Sequence, residues 1–490
     1  MSSRQTKIGL GLILTLAVIL RMAAILNYGH FWDDEMFSFI YSQKPWLDSL
    51  KFWLWETNPP LHLLILKLWF YVFPSTEFFA RLPSLLAGVL NVYFIFVLGK
   101  KMFNEKIGLL SALLLALWPY HIFLSATARG YAFLLLFALL SVNFFHDIFI
   151  LNQTTVKKYF WFGLFNLLLL YTHLTGLAII LTPAVFILIF KRKDLKLWLK
   201  INLLPALLWL VWAVPSFYSK TGAATLNNAW FLNLSQGPLD IIRSLNPLFG
   251  GPSWWPYSLI LIILILTGAI IVFLKQTKLK TINTNFVFTN LLIWLPLLGA
   301  GIFGLWNIKF FVITLPFLVL LVAYLLNQHL RSVFLTILLT ITICLPGLYG
   351  LNQILPVQNW DTVNNYLRSK TNNQKQVLIY NNFILKPQFD RYYQSPIPTL
   401  TYYPYQGDWD YNYISKNYLR WQHPSAEIKK WLMENNIEAN QSRVLGIFLL
   451  EEANLGVDIS KILKQAGWIL KDSFKPRLLG KRIIYHYVKP

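Results

Sequence analysis

Eleven apolar runs dominate the first 350 residues, at roughly 8–26, 80–99, 107–125, 131–150, 159–173, 176–190, 197–215, 256–274, 286–305, 309–326 and 332–350. Many reach the roughly 18–20 residues that carry a helix across the hydrocarbon core of a bilayer. A chain in lipid must satisfy its own backbone hydrogen bonds, so runs of this kind are read as helices. Only 13% of the 490 residues are charged, about half the load of a soluble globular protein. A soluble enzyme, a disordered chain and a fibrous chain are excluded. The expectation is a polytopic α-helical membrane protein.

The net charge of +22 would suit a nucleic-acid partner, but its distribution does not. Residues 1–351 hold 25 Lys/Arg against 10 Asp/Glu, and residues 352–490 hold 18 against 11. In the first part the cations collect in short clusters between apolar runs: Lys100/Lys101/Lys106, Lys157/Lys158, Lys191/Arg192/Lys193, Lys275/Lys278/Lys280 and Arg331. Every second loop is basic, which is a topology signal. With those loops and the Arg4/Lys7 end in the cytoplasm, 16 Lys/Arg lie inside and 8 outside, and Arg21 falls within the first span. The run Pro59–Phe73 is too short for a comfortable crossing, opens on Pro59-Pro60 and carries His62 and Lys67, so it reads as an interfacial or re-entrant helix. The expectation is about eleven spans, the first of them uncleaved, in a cytoplasmic (inner) membrane. The N-terminus is then cytoplasmic and the C-terminal segment extracytoplasmic. Cys344 lies inside an apolar run, which leaves no disulfide framework and no thiolate metal site.

On the outer side this leaves loops 27–79 and 216–255 and the segment 352–490. The last is less apolar. Val377–Tyr380, Val444–Leu450 and Ile483–Val488 read as strands between helical stretches such as 424–435, enough for one small α/β domain. The domain reading is therefore a membrane domain over 1–351 and an extracytoplasmic α/β domain over 352–490.

The first outer loop holds Trp32-Asp33-Asp34-Glu35-Met36-Phe37-Ser38. Three carboxylates beside lipid repel one another and are partly desolvated, which favours a base among them. Asp33 or Asp34 equally suits the N-cap of an interfacial helix, and the two readings are compatible. Asn58-Pro59-Pro60-Leu61-His62 fixes the start of the next helix, where His62 is either an interfacial side chain or part of a site. Arg129, in Ser125-Ala126-Thr127-Ala128-Arg129-Gly130-Tyr131, and Lys309 are cations at outer span ends. Such groups either snorkel or pair with an anion such as a lipid phosphate. His121 and His173 lie near span ends without metal-ligand spacing. Gly299-Ala300-Gly301-Ile302-Phe303-Gly304 matches a dinucleotide fingerprint, but it sits in an apolar span with no strand before it and reads as small-residue helix packing.

In this order the motifs resemble the lipid-dependent glycosyltransferases of the GT-C superfamily, nearest to bacterial relatives of the protein O-mannosyltransferases and the lipid A aminoarabinose transferase. Trp32 to Ser38 looks like that family's outer-loop Asp-Glu motif, with Asp34 at the catalytic aspartate. Asn58 to Leu61 looks like its His-Pro-Pro-Leu segment, and Arg81-Leu82-Pro83-Ser84 like the start of its second span. Ser125 to Tyr131, Tyr171-Thr172-His173 and Lys309-Phe310 are similar to its Ser-Gln-Glu-Ala-Arg-x-Tyr, Tyr-x-His and Arg-Tyr positions, and Trp360-Asp361 to the opening of its outer domain. The likeness covers residues 10–200 well and the later spans loosely. Asn58 replaces the usual histidine, and Thr127 stands where many relatives carry a second acid.

The resemblance implies a GT-C-like membrane domain that moves a sugar from a polyprenyl-phosphate donor to a lipid, glycan or protein acceptor on the outer side, with membrane lipid and no nucleic acid as partner. It implies Asp34 as the base, supported by Glu35 or Asp33, and inversion in a single displacement. Arg129 and Lys309 would bind the donor phosphate, with Asn58, His62, Tyr131 and His173 supporting. No cofactor is certain, and a divalent metal is left open. Trp230, Phe231, Trp254 and Trp255 suit sugar stacking, prenyl contact or an interfacial aromatic belt. The alternatives are a carrier or flippase of lipid-linked sugars, which would favour repeats and mid-membrane ionisable groups, and an inactive binder, to which the departures at Asn58 and Thr127 point.

Overall fold

The computed structural model describes residues 3–55, 58–221, 248, 255–278, 283–302, 308–330, 332–349, 359–371, 376–380, 386–401, 430, 433–435, 446–452, 459–475 and 482–488. Trp230, Phe231, Trp254, most of the loop 216–255 and most of the stretch 424–435 lie outside them. The chain divides into two units. One takes Met1–Asn27, Ser38–Gly222 and Ala229–Leu355; the other takes Tyr28–Phe37, Ala223–Asn228 and Pro356–Pro490.

The first unit is a multi-pass helical membrane domain. Among the described residues seven helices are long and apolar enough to cross a bilayer: Arg4–Asn27, Glu77–Met102, Tyr131–Ile150, Arg192–Phe217, Leu259–Lys278, Thr284–Ile302 and Ile308–His329. A bent pair makes an eighth, and Gly176–Phe190 and Leu335–Leu345 are shorter apolar helices. The elements used below are α1 (Ser3–Asn27), α2 (Asp33–Gln43), α3 (Trp46–Trp55), α4 (Leu61–Trp69), α5 (Glu77–Met102), α6 (Glu105–Leu117), α7 (Pro119–Ser125), α8 (Tyr131–Phe145) and α9 (Val156–Thr172).

Local chemistry sets several of their ends. Glu77 opens α5 and Lys100 and Lys101 close it, each matching the end of the helix dipole. Asn104 caps α6 by accepting from the Ile107 amide at 3.0 Å. The short link between α5 and α6 brings the helices together at two glycines. A Cβ built on Gly99 would lie 3.0 Å from the Gly108 Cα, and one on Gly108 would lie 2.7 Å from the Phe96 carbonyl oxygen.

The apolar run 107–125 reads as one span in sequence, whereas the structure breaks it into α6 and α7, bent by 67°. Pro119 supplies no amide hydrogen and its ring crowds the carbonyl one turn back. The freed carbonyls are taken up by Arg21, whose guanidinium donates to the Leu115 oxygen at 3.2 Å and to the Ala116 oxygen at 3.1 Å. An arginine inside the first span is thereby explained. The run Pro59–Phe73, by contrast, behaves as the sequence suggests. Its helix α4 has nine residues, about 14 Å at 1.5 Å per residue, less than half the ~30 Å core. Lys67 on α4 lies over the Trp46 ring at 4.8 Å and donates to the Lys44 carbonyl oxygen. Asp147 pairs with Lys101 at 2.8 Å and Lys158 at 3.2 Å.

The second unit carries a five-stranded mixed sheet of β1 (Gln376–Tyr380), β2 (Thr399–Thr401), β3 (Gly446–Glu452), β4 (Ile469–Phe474) and β5 (Arg482–Val488), in the order β2-β1-β3-β5-β4. β1 runs parallel to both its neighbours, and β5 antiparallel to both of its own. The three strands expected from sequence are β1, β3 and β5. β2 and β4 had no alternating apolar signal: β2 is three residues long and β4 is mostly exposed. Further helices are α10 (Trp360–Lys370), α11 (Lys386–Tyr392) and α12 (Ile459–Gln465). One core of Val377, Ile379, Ile447, Leu449, Ile462, Leu463 and Tyr487 joins α12 to the sheet. Gly467, at φ 89°, ends that helix in the left-handed conformation a glycine adopts without strain.

Candidate functional site

The acidic motif forms the first turn of α2. The Met36 amide donates to the Trp32 carbonyl at 2.8 Å, so Trp32 is the capping residue rather than Asp33 or Asp34. Glu35 folds back and accepts from the Trp32 amide at 3.5 Å, the half of a capping box that an acid at this position supplies. Glu35 is fully buried, while Asp33 and Asp34 are partly exposed. The three carboxylates that looked alike in sequence therefore differ. Asp33 accepts a hydrogen bond from the Gln388 amide at 2.5 Å, Glu35 caps, and Asp34 stands between them at the helix N-terminus, where the dipole favours an anion.

The other sequence-derived candidates lie in the membrane unit, grouped around the turn that starts α8. Arg129 is held by its backbone: its carbonyl accepts from the Ser84 hydroxyl at 3.2 Å, and its amide donates to the Thr127 carbonyl at 2.8 Å. Its guanidinium donates to the Ser38 hydroxyl at 2.9 Å and lies 6.0 Å from the Tyr131 ring. Ser38 is on α2, one helical turn beyond Asp34. Tyr131, the first residue of α8, lies 6.0 Å from the His173 ring at the end of α9. His173 is 6.3 Å from the ring of Phe310, next to Lys309. The charges of Arg129 and Lys309 are both felt at His173.

His62 is buried in the first turn of α4, and the backbone of Gly130 passes close enough that a Cβ there would lie 3.1 Å from the His62 Cβ. Burial, and secondarily the Arg129 charge, push His62 down to about 3. It is neutral across the physiological range and is an uncharged side chain rather than a cation. Asn58 is partly exposed ahead of buried Pro59 and Pro60. Thr127, in the position where relatives carry an acid, spends its hydroxyl on the Leu124 carbonyl at 3.2 Å. Among the described residues no three His, Cys, Asp or Glu side chains gather as metal ligands.

Residues 57–218, which hold Asn58, His62, Arg129, Tyr131 and His173, match the family described as dolichyl-phosphate-mannose-protein mannosyltransferase. The fold matches the crystal structure of ArnT from Cupriavidus metallidurans bound to undecaprenyl phosphate, with a TM-score of 0.57 and 13% identity over 97% of both chains. The family match spans about a third of the chain, and the chain as a whole shares the fold of ArnT.

A second structure, the apo oligosaccharyltransferase of Archaeoglobus fulgidus, matches with a TM-score of 0.58 and 11% identity over all of this chain and 75% of that one. The archaeal oligosaccharyltransferase AglB from the same organism, in complex with an inhibitory peptide and a dolichol-phosphate, matches with a TM-score of 0.53 and 11% identity over the same shares. No curated protein sequence matches. At these identities the likeness is one of fold.

Several residues of the site environment gave no sequence signal of their own. Ser38, Ser84 and Gln388 are ordinary polar residues until the fold brings a partner to them. The helix packing expected at the Gly299 motif is not seen at its first glycine: a Cβ on Gly299 would meet no atom within 4 Å among the described residues. The tight small-residue contact is at Gly99 and Gly108 instead.

Proposed function

We propose that this GT-C chain transfers a sugar from a polyprenyl-phosphate donor to an acceptor nucleophile at the extracytoplasmic face of the cytoplasmic membrane. The observation that carries the reading is the Arg129–Ser38 hydrogen bond of 2.9 Å, which ties a part-buried cation to the helix that begins with the acids. The match of residues 57–218 supports it, as do the undecaprenyl phosphate and dolichol-phosphate bound by two of the fold's relatives.

In the reaction Asp34 takes the proton of the acceptor hydroxyl or amine as it attacks the anomeric carbon. The bond from that carbon to the phosphate oxygen breaks as the bond to the acceptor forms, with inversion. The departing polyprenyl phosphate gains negative charge, which Arg129 and Lys309 stabilise in a site poor in water. His62, Tyr131 and His173 shape and hydrogen-bond that site, and Asn58 sets the start of α4. The domain at 352–490 is the extracytoplasmic one.

The test uses purified full-length protein in lipid nanodiscs with a panel of polyprenyl-phosphate sugars, following release of polyprenyl phosphate. Wild type is expected to release it from at least one donor, and Asp34→Asn to bind that donor and lose turnover. Unchanged turnover in Asp34→Asn would remove Asp34 from the mechanism. Donor binding by both proteins without release from any donor would point to a carrier or an inactive binder.

A further inference from the structure

The segment bearing the acids, Tyr28–Phe37, belongs to the same unit as the C-terminal domain, although more than 300 residues separate them in sequence. Polar bonds join the two. The Gln388 amide nitrogen donates to Asp33 at 2.5 Å, the Phe31 amide donates to the Tyr392 hydroxyl at 3.1 Å, and the Trp360 amide donates to Nδ1 of His30 at 3.3 Å. Ring contacts accompany them: His30 and Tyr392 meet edge to face at 4.4 Å, and the Arg391 guanidinium lies 5.7 Å from the Phe31 ring.

The orientation of Gln388 is fixed by chemistry. Its oxygen accepts from the Trp360 indole at 3.3 Å, and an indole N–H has no acceptor capacity. A carboxylate only accepts, so the amide nitrogen faces Asp33 and a flipped amide would lose both bonds. Gln388 and Trp360 are fully buried. Leaving either end of such a buried relay unpaired costs more than an exposed bond would. α11 is one short helix that offers Gln388, Arg391 and Tyr392 together to the residues on either side of Trp32, the cap of α2.

We propose that Gln388 and Tyr392 are positioning residues for the acidic motif: through Asp33 and the Phe31 backbone, the C-terminal domain sets the direction of the α2 first turn that carries Asp34. The inference rests on the reading of Asp34 as the base, and it gives Asp33 the role of handle rather than of second acid. A carboxylate held off its attack geometry by an ångström loses about a hundredfold in rate without losing substrate. The C-terminal domain then acts on turnover without itself touching the donor.

The test is a mutant cycle in the full-length protein in nanodiscs, with Gln388→Leu, Asp33→Ala, Asp33→Asn and the double variant Asp33→Ala/Gln388→Leu. Turnover and donor KM are measured together with hydrogen exchange of peptides spanning residues 28–43. Gln388→Leu and Asp33→Ala are each expected to lower kcat about 10–100-fold with donor KM within about twofold and to speed exchange in the 28–43 peptides. Asp33→Asn, whose amide oxygen still accepts from Gln388, is expected to rescue most of the rate. The double variant is expected to be no slower than the slower single one. Additive losses in the double variant, or Asp33→Asn as slow as Asp33→Ala, would overturn the relay. If wild type turns over no donor, the transferase reading fails, and the exchange data still decide the positioning: unchanged exchange in Gln388→Leu overturns it, and faster exchange upholds it.

Discussion

The guanidinium of Arg21 lies 2.6 Å from Nδ1 of His121, inside the membrane unit and shielded from solvent. Arginine only donates, so His121 presents its lone pair on Nδ1. The same guanidinium donates to the carbonyls of Ala17, Leu115 and Ala116. Arg21 thus joins α1 to the carbonyl end of α6 just before the chain bends at Pro119.

Replacing Arg21 by Met keeps most of the volume and removes every one of these donors. The Leu115 and Ala116 oxygens then have no amide and no guanidinium to pair with, at about 1–3 kcal/mol each. The expected result is a clear fall in the thermal midpoint of the purified protein in detergent, with Arg21→Lys intermediate. A midpoint unchanged in Arg21→Met would show that water or a backbone shift replaces the side chain.

Gly108→Ala and Gly299→Ala should differ in sign. A methyl on Gly108 would sit 2.7 Å from a backbone carbonyl oxygen and 2.9 Å from a backbone amide nitrogen, contacts that no rotamer change relieves. Overpacking of this kind costs about 1–3 kcal/mol. Among the described residues Gly299 has open space around its Cβ position, and it lies in a helix, where alanine is the better former by up to about 1 kcal/mol. Thermal midpoints of the two variants check both halves.

Turnover tests the role of Arg129. Arg129→Ala is expected to lower it about 10²–10³-fold, the usual effect of losing one group that stabilises transition-state charge. Arg129→Lys keeps the charge and is expected to retain part of the rate. Ser38→Ala removes a single hydrogen bond of about 0.5–1.5 kcal/mol and should cost at most about tenfold. A Ser38→Ala loss as large as that of Arg129→Ala would mean that Ser38 itself meets the substrate.

The far edge of the C-terminal sheet makes a pH prediction. Asp472 is held below the usual carboxylate range by its hydrogen bonds to Lys370, at 2.9 Å, and to the Ser473 amide, at 2.8 Å. A lowered carboxylate stabilises the fold above its unfolded pKa and stops doing so as pH falls through the folded value. Burial, and secondarily the neighbouring Asp472, push Tyr366 up to about 12. A raised phenol stabilises the fold below about pH 10 and loses that contribution between about pH 10 and about 12. Protection of peptides spanning 469–488 against hydrogen exchange in the full-length protein, corrected for the intrinsic rate at each pH, should be highest across the middle of the range and fall at both ends. Asp472→Asn should flatten the acid side.

His62 gives the opposite kind of pH prediction for activity. Held down to about 3 by burial and Arg129, it does not titrate between pH 5 and 8. A His62→Gln variant should change the size of the rate and leave the shape of the pH–rate profile in that window as it is. A profile that loses an inflection near pH 6 in the variant would show an ionising His62.

The sequence by itself determined the membrane class, a helix too short to cross in the run Pro59–Phe73 and the three principal strands of the C-terminal domain. Each follows from a local rule: run length against bilayer thickness or period-two alternation. The tertiary structure alone decided which acid does what. Asp33, Asp34 and Glu35 are neighbours of one chemistry, and only a cap bond to Trp32 and a glutamine 355 residues away separate their roles. It also decided that Arg21 serves a helix break rather than a site, and that Gly99 and Gly108 bring α5 and α6 together. Hydrogen bonds and steric contacts between distant segments have no period and no spacing in the chain, so no reading of the chain alone reaches them.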